Sequence, residues 1–239
     1  PNRENNYISN IINKKFMIVS FLEGKSKTSL SPAECKIVGI QIAKLHMITK
    51  DFKFIRKNDL SVKSWRGIFA QVKDKCSEIH SDLPKLIEAN LTSIEKNWPK
   101  NLPSGIIHAD LFSDNIFFKN NRFSGFIDFY FSCNDFYAFD IAICFNALCF
   151  EGIKQNLSFN VTKAKKLMEG YNEIRRISKD EKLALKVLSQ GAALRFLLTR
   201  VFDYINTVDN AEVKIKDPEE YLKRLEFHKN AKSFEDYLI

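Results

Sequence analysis

The chain has 239 residues, 45% hydrophobic and 28% charged, enough to fill a sizeable core and too apolar for a disordered chain. No stretch approaches the roughly 20 apolar residues of a membrane span, no basic-then-apolar leader opens the chain, and five cysteines without a CxxC pair argue against zinc or redox exchange. The expectation is a cytoplasmic protein with reduced core thiols, whose net charge of +8 suits a nucleotide or another polyanion but is mostly a solvated face.

In chain order, Asn13 to Leu22 (NKKFMIVSFL) reads as a lone strand closed by Glu23 and Gly24. Ser31, Pro32 and Glu34 form a capping box with proline at the first helical position. Cys35, Val38, Ile42 and Leu45 then give an amphipathic helix ending near Lys50. Trp65, Phe69, Val72, Cys76 and Ile79 predict a second helix, and Leu83, Ile87, Leu91, Ile94 and Trp98 a third, stopped by Pro99 and Pro103. Between Gly105 and Ile127 the period changes to short apolar runs, with Asn120-Asn121-Arg122 as a hairpin tip. Helices resume at Ala138 to Cys149 and Val161 to Tyr171. Ser178 with Glu181 caps a long helix towards Asn206, and Asp217-Pro218 with Glu220 caps a last one through Leu225.

Chemistry concentrates in the middle. His108, Asp110, Asp114, Asn115 and Asp128 supply oxygen and nitrogen ligands beside short strands. A turn centred on Asn121 and Arg122 sets Asn115 opposite Asp128 at the open end of the hairpin, where an amide oxygen and a carboxylate can share a hard cation, most simply magnesium on nucleotide phosphates. Asp110, just upstream, is near enough to act on a hydroxyl. His108 reads as a supporting core imidazole and Asp114 equally as a turn residue; no second histidine or cysteine stands at zinc spacing.

The string His108-Ala109-Asp110-Leu111-Phe112-Ser113-Asp114-Asn115 followed by Ile127-Asp128-Phe129 resembles the HxDxxxxN and IDF signatures of the aminoglycoside phosphotransferase-like small-molecule kinases. GIIHADLFSDNIFF, SGFIDFYFSCNDFYAFDIAIC, GAALRFLLTRVFDY and KDPEEYLKRL resemble its homoserine kinase family, from about Phe16 to His228. The resemblance implies an α+β, mainly α, protein-kinase-like fold. Residues 1–22 would be a remnant strand and hinge of the nucleotide lobe, and 23–239 a helical C-terminal lobe with its catalytic loop at 105–135.

It also implies ATP-dependent phosphorylation of L-homoserine to O-phospho-L-homoserine, on the route to threonine, with ATP and Mg2+ as cofactors and neither nucleic acid nor membrane as partner. Asp110 matches the catalytic aspartate, Asn115 and Asp128 the magnesium ligands, the backbone of Ser20, Phe21 and Leu22 the adenine-binding hinge, and Asp140 the carboxylate that braces the catalytic loop. An amino-acid substrate calls for an acid and an arginine fork. Asn134 and Asp135 suit its ammonium or hydroxyl, Arg195 and Arg200 its carboxylate. Arg195 is favoured because Gly191 and Thr199 leave room on its face; Asp135 reads equally as a helix cap and Arg200 as the partner of Asp203. The family's phosphate-covering loop and strand lysine have no match before Asn13, so the expectation is either a fragment or a chain that has lost most of its nucleotide lobe; Lys14 and Lys15 are poor substitutes. A kinase for an aminoglycoside, choline or sugar, a silent lobe that only binds, and a basic nucleic-acid module remain as alternatives, the last without any supporting motif.

Overall fold

The computed structural model describes residues 1–152, 156–207 and 216–238. Seven helices and four two-stranded antiparallel sheets are found among them.

The chain opens with β1 (Ser9–Ile11) paired with β2 (Lys14–Phe16) across Ile12 and Asn13, both left-handed. This corrects the lone strand expected from Asn13 to Leu22. Asn13 takes the turn, the ladder stops at Phe16, and residues 17–22 run outside any strand with Met17, Ile18, Val19 and Phe21 exposed. The ladder has no third strand to extend it, so β propensity alone does not make one.

α1 (Pro32–Ile48) starts at the capping box: Ser31 Oγ accepts from Glu34 N–H, and Glu34 Oε2 accepts from Ser31 N–H at 2.8 Å. α2 (Trp65–Val72) is shorter than its apolar spacing suggests. Lys73–Glu78 winds on as a 310 turn, which buries Cys76 by another route, because the polar KDKCSE run offers no second apolar residue to hold an α-helical face. α3 (Leu83–Asn97) ends where expected.

Next, β3 (Ser104–Ile107) pairs with β6 (Cys133–Phe136), and β4 (Ile116–Lys119) with β5 (Arg122–Phe126). α4 (Tyr137–Leu148) is buried on nearly every side. A small ladder of β7 (Phe150–Glu151) and β8 (Ser158–Phe159) leads to α5 (Val161–Ile174). α6 (Lys179–Asn206) carries the second capping box, and α7 (Glu219–Asn230) runs past the expected end at Leu225, with Asp217 accepting from Glu219 N–H at 2.9 Å.

Two contacts fix the frame around the site. α1 and α5 cross at glycines: a Cβ on Gly39 would lie 2.1 Å from Leu167 O, and one on Gly170 2.0 Å from Lys36 O. Only glycine permits so close an approach of backbones. α6 threads the centre of the core, where Trp65 and Trp98 meet edge to face over Gly191. No helix of the described residues is long and apolar enough to cross a membrane.

Candidate active site

The candidate site is built from the loop between β3 and β4. Ala109 has φ of 64°, a strained value for a residue with a Cβ. Three side chains hold it there. Asp140, fully buried on α4, accepts from His108 N–H at 3.0 Å and from Ala109 N–H at 2.9 Å, one bond on each carboxylate oxygen. Arg195, 2% exposed, donates from α6 to Ala109 O. Asn115 Nδ2 closes the loop from the other end by donating to Asp110 O at 2.9 Å. His108, also buried, donates from Nε2 to Ile127 O at 2.9 Å and so ties the loop to the end of the hairpin. Burial pushes the Asp140 carboxyl up, but His46 and His108 overcome this and hold it below its ordinary value, so the loop is clamped by an ionised group.

Asp110 stands half-buried at the end of this clamp. Burial pushes its carboxyl up and Asp128 adds to the rise, while Arg195 and His108 oppose it. Arg195 Nη2 stands 3.9 Å from Asp110 Oδ1, close enough to orient the carboxylate yet too far to occupy its lone pairs with a hydrogen bond.

The hairpin register departs from expectation by one residue. The turn is Asn120-Asn121, both left-handed, so Lys119 faces Arg122; asparagine tolerates that conformation and arginine does not. A bulge then shifts the pairing so that Phe117 faces Gly125. In consequence Asn115 O accepts from Ile127 N–H at 3.0 Å, and Asn115 lies opposite Ile127 instead of Asp128. Asp128 follows one step beyond, exposed and with φ of 60°. Both residues therefore sit at the open end of the hairpin, offset by one. Asn115 Oδ1 accepts no hydrogen bond among the described residues, and Asp128 is an unpaired carboxylate on the same terms. Asp114 is exposed, 4.0 Å from Lys216.

The substrate candidates separate. Asn134 Oδ1 accepts from Arg56 N–H at 2.9 Å, and Asp135, raised by burial, takes 2.6 Å from Asn58 Nδ2 and a bond from Phe136 N–H. Both residues brace β6 against the segment at Arg56 and Asn58, and the cap of α4 falls to Phe136. Arg195 is close to Asp110, but the room expected beside it is absent: a Cβ on Gly191 would lie 2.3 Å from Trp98. Arg200 pairs with Glu220 at 2.9 Å and with Asp217 O at 2.7 Å, not with Asp203, since α7 brings a carboxylate across to it. The hinge candidates flank the hairpin. Leu22 packs over Gly125, Lys25 and Phe118 exchange two backbone bonds at 3.0 Å, and the backbone groups of Ser20, Phe21 and Leu22 have no protein partner among the described residues.

Residues 5–158 match the Phosphotransferase enzyme family. The homoserine kinase of Mesorhizobium japonicum is 43% identical over 230 residues, 96% of this chain and 71% of that protein. That of Nitrobacter hamburgensis is 47% identical over 220 residues, covering 92% and 67%. The chain belongs to the homoserine kinases. The fold of this family is protein-kinase-like, as the solved structures also show. Plasmodium vivax ethanolamine kinase superposes with a TM-score of 0.67 at 17% identity over 96% of this chain and 68% of that one. Choline kinase from Cryptosporidium parvum gives 0.66 at 16%, over 93% and 72%. The chain is accordingly an ATP-dependent small-molecule kinase that uses a divalent metal.

One contact of the candidate site is not legible in the sequence. His46, on the buried face of α1, touches Asp140 Oδ2 at 3.1 Å through Nε2. Its spacing with Val38 and Ile42 marks it as a core residue, and nothing local tells a histidine that spaces a core from one that holds a catalytic loop.

Proposed function

We propose that this chain transfers the γ-phosphoryl group of ATP to the side-chain hydroxyl of L-homoserine, giving O-phospho-L-homoserine for threonine synthesis. The observation that carries the reading is Asp110 on its clamped loop, combined with identity to homoserine kinases across nearly the whole chain. Asp110 orients the hydroxyl and accepts its proton as the oxygen attacks phosphorus. Catalysis is otherwise positioning and charge neutralisation.

Asn115 Oδ1 and Asp128 are hard oxygen donors, the set that suits Mg2+, and they hold the ion in this reading. Bound there, magnesium neutralises charge on the phosphates. Ser20, Phe21 and Leu22 offer free backbone groups to adenine. Asn134, Asp135, Arg195 and Arg200 divide by geometry. Arg195 orients Asp110, Asn134 and Asp135 shape the wall beside it, and Arg200, partly exposed at the α6–α7 contact, remains the candidate for the substrate carboxylate. Residues 1–22 form the strand-and-hinge edge and 23–239 the helical lobe. The five free, buried cysteines, with the thiols of Cys35 and Cys133 pushed up to about 12, fit a reducing cytoplasm.

The test is a competition assay in the full translation product containing these residues, with ATP, Mg2+ and an equimolar mixture of L-homoserine, choline, ethanolamine and an aminoglycoside, read by mass spectrometry. Phosphohomoserine as the dominant product is expected. Preferential phosphorylation of another acceptor would overturn the substrate assignment.

A further inference from the structure

The bonds to Asp140 do not end at His46. His46 Nδ1 lies 2.8 Å from the hydroxyl of Tyr171 on α5, and Tyr171 Oη accepts from Arg175 Nη1 at 3.2 Å. Arg175, the C-cap of α5, donates through Nη2 to Glu181 Oε1 at 2.8 Å. The other oxygen of Glu181 accepts from Ser178 N–H at 2.9 Å in the capping box of α6. An unbroken row of bonds thus runs from the α5–α6 junction to the backbone of the catalytic loop.

The row has one polarity. Ionised Asp140 can only accept, so His46 Nε2 donates to it, and Arg175 can only donate to Tyr171, which leaves His46 Nδ1 as the acceptor for the tyrosine hydrogen. The Tyr171 hydroxyl has one hydrogen and donates its single hydrogen bond to Nδ1. Its oxygen then accepts from Arg175, which can only donate. Every group is used in the sense that its neighbour needs. His46, Tyr171 and Glu181 are buried without access to water, so water cannot replace a lost partner. The ring of Tyr137 stacks on His46 at 4.6 Å and lies 4.8 Å from the Arg175 guanidinium, which limits both to one orientation.

We propose that His46, Tyr171 and Arg175 are positioning residues for phosphoryl transfer: they orient Asp140, and through it the His108-Ala109 backbone that presents Asp110. None of them touches a reactant. A small rotation of Asp140 reaches the chemistry because both of its oxygens are committed to consecutive amides, one of them on the strained Ala109. Misplacement of a reacting group by a fraction of an ångström lowers turnover without weakening ground-state binding.

The inference rests on the kinase reading for its kinetic arm, and a second arm is independent of it. Tyr171→Phe preserves the ring and removes only the hydroxyl. It should lower kcat per folded molecule about 10-fold, in the manner of other outer-shell partners, and leave KM for ATP and L-homoserine unchanged. At position 46, His46→Gln places an amide donor where Nε2 was, and His46→Asn places an amide only where Nδ1 was. The Gln variant should retain the greater kcat. Wild-type kcat in Tyr171→Phe, a change confined to KM, or equal losses in the Gln and Asn variants would each overturn the proposal. If the His46 variants do not fold, Tyr171→Phe decides alone.

Nitrogen-15 NMR of the resting protein gives the second arm. The His46 ring should carry its proton on Nε2 with Nδ1 bare, and the Nδ1 resonance should move in Tyr171→Phe. A proton on Nδ1 would overturn the row whatever the acceptor. A wild-type enzyme that ignores L-homoserine but shows this signature would instead sink the substrate assignment and leave the row standing.

Discussion

Residues 7–21 and residues 105–118 are equally rich in isoleucine and phenylalanine, and the protein treats them in opposite ways. In the first stretch Tyr7, Ile8, Ile11, Ile12, Met17, Ile18, Val19 and Phe21 are exposed; in the second Ile107, Leu111, Ile116 and Phe118 are buried. Apolar content does not separate them. Polar anchors do. The loop of the second stretch is tied by Asp140 from α4 and Arg195 from α6, by Asn115 across its own span, and by His108, which reaches out to the hairpin at Ile127. The first is tied by its own two-stranded ladder and by a few contacts at its far end, where Leu22 to Lys25 meet the hairpin. Hydrophobic burial gathers the lobe, but a strained loop needs directional bonds to hold one conformation.

The sharpest way to break this contrast is at the reacting group. Asp110→Asn keeps the shape of the loop and removes the proposed proton acceptor, so turnover should fall at least about 100-fold while ATP binding is nearly intact; comparable turnover would refute the role. Next is the proposed metal pair, Asn115 and Asp128. Asp128→Ala should remove metal-dependent nucleotide binding more completely than Asn115→Ala, because the carboxylate brings the charge. Titrating MgATP into each variant distinguishes them, and the reverse order would move the ion elsewhere.

Asp140→Asn tests the clamp itself. The amide cannot accept two backbone bonds and the His46 bond in the way a carboxylate does, and breaking a buried charged network of this kind costs about 3 kcal/mol, measurable by denaturant unfolding. Its pH dependence has a definite sign. The Asp140 carboxyl lies below its ordinary value in the folded chain, so its contribution is fully present above the unfolded pKa of about 3.9 and is lost as the pH falls through the folded value. In Asp140→Asn that part of the acid limb should vanish. A smaller loss, about 1 to 3 kcal/mol, is expected for Gly39→Ala, which forces α1 away from Leu167 O. At the other region, Ile18→Ser with Val19→Ser should change stability by less than about 0.5 kcal/mol, since both side chains are already in water. Its effect should be on self-association, seen by light scattering, because the pair belongs to an apolar edge.

Much of this was legible in the residues, for identifiable reasons. Both capping boxes, Ser31 with Glu34 and Ser178 with Glu181, are local devices and start their helices where the spelling says. The catalytic string is legible because its residues act at fixed spacing. The register was misread at the tip: a type I′ turn selects Asn120-Asn121, and the bulge depends on how β5 packs, which no local pattern states. The space expected beside Arg195 is filled by Trp65 and Trp98, far away in sequence. Arg200 found Glu220 and not Asp203 for the same reason: the partner comes from another helix. Asn134 and Asp135 were read without Arg56 and Asn58, so their role in holding β6 was hidden.

A buried carboxylate holds the loop, and hydrogen exchange reads this directly. In the native protein the amides of His108 and Ala109 should exchange as slowly as those of the core helices, and those of Met17 to Phe21 within the earliest time points. In Asp140→Asn the two loop amides should become fast while the amides of α6 remain protected. Rapid exchange at His108 and Ala109 in the unaltered protein, or unchanged protection in Asp140→Asn, would contradict it.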